Sequence, residues 1–212
     1  MRFSCGISYD DIIKTELVEY PHKGEVGISR ELLYNDPLMG LVDKDIEGVE
    51  TISYYKNVTS QLEAVTSDKG ATDAAFDVII KLSSLLENKA DFGIRLKKAY
   101  DNNDAEALKN LAEECEIILD KIRALHESHY IAWMQYNKPQ GWEVHDIRYG
   151  GLRARFETTK KRILAYLSNE ITAIEELREE RLRLDCKADG AEKFGEDYLW
   201  YKYPAIATAN IL

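Results

Sequence analysis

Two short runs hold the residues whose types and spacing could carry chemistry: "HESH" at 126–129 and "WMQYNKPQGWEVHDIRYGGLRAR" at 133–155. His126 and His129 stand at i, i+3 and could share one metal ion. That spacing misses the HExxH zinc pattern by one residue, and neither has the Glu three positions earlier that a di-iron bundle uses. A core or rim histidine is the plainer reading, and no metal ligand is assigned. Glu143 and Asp146 form an acidic pair beside Trp142, and glycoside cleavage uses two carboxylates. Such an enzyme also needs a concave cleft, which a helical bundle does not build alone, so no catalytic residue is expected.

The same run could instead bind sugar. Trp133, Tyr136 and Trp142 would supply flat faces, with Asn137, Asp146 and Arg148 as hydrogen-bonding edges. The competing reading is structural: buried Trp N–H and Tyr O–H groups need partners, and arginine forks supply rigid ones. Arg148 or Arg153 would then pair with Asp146 or Glu143, and Gly150-Gly151 would turn the chain sharply just before a helix. Taken alone, the residues favour this packed corner. "NVT" at 57–59 fits a glycosylation acceptor, but no secretory signal accompanies it. No phosphate loop, GxSxG elbow or Cys–His pair of nucleophilic spacing is present, and no cofactor is implied.

What must position these residues is a set of helices. Apolar residues recur at helical spacing over about 71–100 (Phe76, Ile79, Ile80, Leu82, Leu85, Leu86, Ala90, Leu96, Ala99), with Thr72 as N-cap and Gly93 a weak interior point. "DNND" at 101–104 interrupts them, and Asn103 with Glu106 has the spacing of a capping box. A second series over 104–136 runs from Leu108 to Trp133. A third, from Leu152 to Leu177, predicts a helix over 151–182. Each has one apolar stripe and a charged remainder, so each must bury that stripe against the others. The expected fold is all-α, an elongated antiparallel bundle of three long helices, each about 45 Å at about 1.5 Å per residue.

Residues 1–68 read as a separate N-terminal arm of short helices, with a Ser29 cap, an Asp36-Pro37 turn or helix start and a helix within 44–64. Residues 69–212 form the bundle domain and its tail. Tyr198, Trp200, Tyr201 and Tyr203 in that tail are expected to fold back or dock elsewhere.

The 212 residues are 45% hydrophobic and 31% charged, a globular balance, and no run approaches the ~18 apolar residues of a spanning helix. A net charge of −10 disfavours nucleic acid and anionic membrane surfaces as partners. Cys5, Cys115 and Cys186 form no CxxC pair and read as reduced thiols; with no signal peptide visible, a cytoplasmic location is expected.

Three segments carry a family resemblance: "LLYNDPLMGLVD" (32–43), "AWMQYNKPQGWEVHDIRYGGLRARFETTKKRI" (132–163) and "LREERL" (177–182). They resemble the C-terminal region of bacterial glycoside hydrolase family 20 enzymes, of the β-N-acetylhexosaminidase type that carries an all-α domain after its TIM barrel. The resemblance runs from about residue 28 to the end. It implies substrate-assisted catalysis by an Asp-Glu pair on a barrel strand. This sequence has no alternating strand–helix run, so the catalytic domain is expected to be missing from it.

The implied role is a non-catalytic domain, inactive alone, that supports the barrel or its dimer. A stand-alone all-α interaction or carbohydrate-binding module is the alternative. Expected partners are the missing barrel, a second copy in a homodimer because uncovered apolar surface tends to find a partner, and an N-acetylhexosamine-containing glycan.

Overall fold

The structure, a computed structural model, describes residues 7–19, 29–40, 42–65 and 69–181. Every element among them is helical: α1 (Tyr9–Ile12), α2 (Ser29–Tyr34), α3 (Thr51–Glu63), α4 (Asp73–Lys89), α5 (Phe92–Asp101), α6 (Ala105–Tyr136) and α7 (Trp142–Leu167), with 3-10 turns at Ile13–Val18, Gly70–Thr72 and Glu175–Leu177. The chain is all-α, as its apolar spacing predicts. The aromatic tail at 198–203, Cys5 and Cys186 lie outside the described residues.

Helix α6 is the axis of the domain. It packs against α4 on one side and α7 on the other, and α3 covers the far side of α4. Polar ties give the directions. Asn88 and Ser84 of α4 meet Glu114 and Lys121 of α6, while Asp77 meets Ser128, so α4 and α6 run antiparallel. Glu116 meets Lys160 and His126 meets Asp146, so α6 and α7 do too. The main core lies between these helices: Leu85, Phe92, Leu96, Leu108, Cys115, Ile118, Ile122, Leu152, Phe156 and Ile163 are all buried. Burial also pushes the Cys115 thiol up to about 12, which leaves it an unreactive packing group.

Three helix boundaries differ from the sequence expectation. The first predicted helix is two, broken at Ala90–Asp91, and α5 lays Gly93 against the Asp43 carboxylate, where a Cβ would sit 2.6 Å from Oδ2. The third begins at Trp142, so Gly150 and Gly151 lie inside α7 and make no turn. It also ends early, at Leu167. Asn169 takes the left-handed conformation (φ 61°), and the Asn169 and Glu170 amides donate to Tyr166 and Ala165 in a Schellman-type cap.

Of the predicted caps, Thr72 does stand at the N-cap of α4, without a side-chain capping bond, while the other two shift by one residue. Asn103 (φ 52°) closes α5 in the same way, and Asp104 is the N-cap of α6, accepting from the Ala107 amide at 3.0 Å. Thr72 precedes α4 but donates its hydroxyl to the Lys69 carbonyl. Ser29 is the first residue of α2 and gives both its hydroxyl and its amide to Glu19.

Candidate functional site

The expected long aromatic connection is mostly helix; only Asn137–Gly141 joins α6 to α7. The Trp133 indole donates to the Lys138 carbonyl at 2.8 Å, and Gly141 at φ 99° swings the chain around it. Beyond this turn the two helices face each other with matching i, i+3, i+7 sets: His126, His129 and Trp133 on α6, Trp142, His145 and Tyr149 on α7.

Trp142 is 6% exposed. It stacks on His126 (centroids 5.5 Å apart, planes within 10°) and meets His129, Tyr130 and His145 at 5.2–5.3 Å. His126 also stacks on Tyr149 at 4.8 Å, and the Tyr149 hydroxyl lies 3.0 Å from His129 Nδ1. Trp133 is half-buried against the same rings, whereas Tyr136 is 46% exposed and Asn137 is exposed at the C-cap of α6.

The predicted guanidinium–carboxylate pair does not form. Asp146 takes His126 Nε2 at 2.9 Å, and Glu143 turns back to accept the Gly141 amide at 2.8 Å. The Nε atoms of Arg148 and Arg153 are buried without a partner, as is His145 Nδ1. Histidines sit closer to the carboxylate because α7 starts nine residues earlier than 151 and turns Asp146 toward α6. Among the described residues, no group of three or more His, Cys, Asp or Glu side chains is placed to hold a metal.

Burial, reinforced by the neighbouring His145 and His126, holds the His129 imidazole down at about 4; burial and Arg148 depress His145 as well. Both shifts favour the neutral ring in the folded state. Between pH ~6.5 and ~4 the unfolded chain therefore binds more protons, so stability is full above that window and is lost as pH falls through it. We expect the melting temperature to drop across this range, and the drop to shrink in His129→Gln. A wild-type melting curve flat from pH 7 to 4 would contradict the cluster's role.

A second cluster, which sequence reading missed, ties the arm to the bundle. Asp36, 3% exposed, accepts the Leu38 and Met39 amides on Oδ1 (2.9 and 2.8 Å) and takes the Arg155 guanidinium from α7 (Nε 2.5 Å from Oδ2, Nη2 3.1 Å from Oδ1). Lys89 ends α4 wholly inside the protein, donating to the Leu32 and Asn35 carbonyls at 2.7 and 2.9 Å and lying over the Phe156 ring. Burial lowers its ammonium to about 7, while Asp36 and Asp43 oppose that shift.

Asp43, pushed up by burial, accepts from Asn35 Nδ2 at 2.7 Å and faces Arg181 Nε at 3.1 Å, without the alignment of a hydrogen bond. Arg181 Nη1 reaches the Met39 carbonyl. One signal was available: Lys89 falls on the apolar stripe of Leu85, Leu86, Gly93 and Leu96, where a charge requires a buried partner.

No described helix is long and apolar enough to cross a membrane. No curated protein matches the chain. A model of the family described as the Glycoside Hydrolase 20C C-terminal domain matches residues 7–196. That span takes in the Asp36–Lys89–Asp43 cluster and the ring-packed corner together. This chain therefore belongs to the Glycoside Hydrolase 20C C-terminal domain family.

Proposed function

We propose that this helical domain is the non-catalytic partner of a β-N-acetylhexosaminidase-type barrel and supports that barrel mechanically. The observation that carries the reading is the fate of the only acidic pair in the aromatic corner. Asp146 is engaged by His126 and Glu143 by its own turn, so neither stands ready as general acid or nucleophile. Trp142, the best candidate for a sugar platform, is covered by imidazole and phenol rings. Support for a bracing role comes from the arm, where buried ionic and carbonyl contacts fasten residues 32–43 to α4, α7 and Arg181.

The purified chain should not hydrolyse aryl N-acetylglucosaminides. Turnover that disappears in Glu143→Gln or Asp146→Asn would overturn the proposal.

A further inference from the structure

We propose that a cleft at the opposite end of α6 from the ring-packed corner binds an uncharged adenine ring, as the free base or its nucleoside, with Asn103 pairing the ring's hydrogen-bonding edge. The inference rests on side chains that play no part in the barrel reading.

The cleft has a volume of about 420 Å³ and lies where the start of α6 meets the end of α7. Leu108, 1% exposed, lines its interior with the half-buried Leu167 and Ile171. The exposed Asn103, Asn169 and Thr172 line its rim, and the half-buried Tyr166 joins the two zones. The size is that of a small-molecule site.

Backbone conformation sets this cleft apart. Asn103 (φ 52°) and Asn169 (φ 61°) are the only non-glycine residues at positive φ among the described residues, and both line it. One closes α5 and the other α7, in a position that glycine fills most easily. Left-handed residues other than glycine are uncommon and gather at ligand clamps and active sites. The Asn103 side chain reaches away from its own turn, and its Oδ1 accepts the Tyr166 hydroxyl in a long bond of 3.4 Å.

Charge narrows the occupant. No side chain lining the cleft is charged, in a chain that is 31% charged. The clefts lined by Asp43 and Arg181, by Arg95 and Glu114, and by Lys14 and Glu16 all mix both signs. An ionised ligand would lose its hydration here without gaining a partner, so the occupant is neutral. A nucleotide is excluded on that ground, because its phosphates need a guanidinium or an ammonium.

The division of the lining selects the class. Apolar groups hold the interior and hydrogen-bonding groups the rim, which suits a flat ring with apolar faces and one polar edge. A sugar carries hydroxyls around its whole circumference, and those turned toward Leu108, Leu167 and Ile171 would be left unpaired. A carboxamide offers a donor and an acceptor side by side, the pattern that pairs with N6 and N7 of adenine. The Tyr166 contact marks Oδ1 as the acceptor end of Asn103. Its second lone pair can take the N6 amine while Nδ2 donates to N7.

Calorimetric titration of the whole chain tests this. Adenine and adenosine should bind with Kd on the order of 0.1 mM. Inosine, which carries an oxygen in place of the N6 amine, should bind about tenfold more weakly or worse. Adenosine monophosphate should bind no tighter than adenosine. Asn103→Gly should weaken adenosine by about tenfold or more, and Asn169→Gly should weaken it severalfold. Neither change should lower the melting temperature, because glycine keeps both left-handed turns.

No heat from adenosine at millimolar concentration overturns the proposal, as does an affinity indifferent to Asn103→Gly or to the exchange of adenosine for inosine. Binding of N-acetylglucosamine in place of adenosine, lost in Asn103→Gly, also overturns it and assigns the cleft to a sugar.

Discussion

Asp36→Ala should destabilise the domain by about 3–5 kcal/mol, the usual cost of removing one member of a buried ion pair. The carboxylate is 3% exposed and serves four donors: the Leu38 and Met39 amides and two nitrogens of Arg155. Its loss strands the buried Leu38 amide, strips the part-buried Met39 amide of its acceptor and leaves Lys89, already wholly buried, with one fewer negative neighbour. Arg155 is about one-third exposed and can turn to solvent, so the damage should fall on the arm first. Hydrogen exchange should therefore show residues 32–46 losing protection before α6 does. A denaturation midpoint within error of wild type would mean that the buried cluster does not hold the arm.

Trp142→Ala should cost a similar amount, about 3–5 kcal/mol, because it empties a large aromatic site that the surrounding rings cannot refill. The indole is 6% exposed and touches five other rings, contributed by His126, His129, Tyr130, Trp133 and His145. Removing it leaves His126 stacked on Tyr149 alone, takes a tilted ring contact from His145 and frees the first turn of α7. Thermal melts and titration with N-acetylglucosamine separate packing from binding. The packed corner predicts a large fall in melting temperature and no sugar-dependent signal in the wild type. An unchanged melting temperature, with sugar binding lost, would make the corner a ligand platform instead.

Helix α6 was legible almost to the residue, since its apolar stripe runs unbroken from Leu108 to Trp133, although its cap is Asp104 and not the expected Asn103, whose left-handed backbone closes α5 instead. The start of α7 was hidden by Gly150-Gly151, which read locally as a turn. Core contacts on either side, through Tyr149 and Leu152, hold that stretch helical against the propensity of both glycines. Had Trp142 been placed on a helix, its spacing to His145 and Tyr149 would have matched that of His126, His129 and Trp133. The ring cluster follows from that match. The predicted Arg–carboxylate pairs failed for the same reason, because helical phase decides which neighbour Asp146 meets.

The cluster around Asp36 was out of reach of any local pattern. The contacts that bring its distant parts together join residues 54 to 142 positions apart, from Lys89 with Asn35 to Arg181 with Met39. Only Lys89 announced itself, as a charge on a buried stripe.

The claim that this domain braces a catalytic barrel is tested most directly by the inactivation temperature of hexosaminidase activity. The measurement uses one polypeptide that joins this chain to a barrel of its family, wild type against Asp36→Ala. The account predicts equal initial rates at low temperature and an inactivation temperature that falls with the domain's own melting point. An inactivation temperature that stays unchanged while the domain melts early would contradict it.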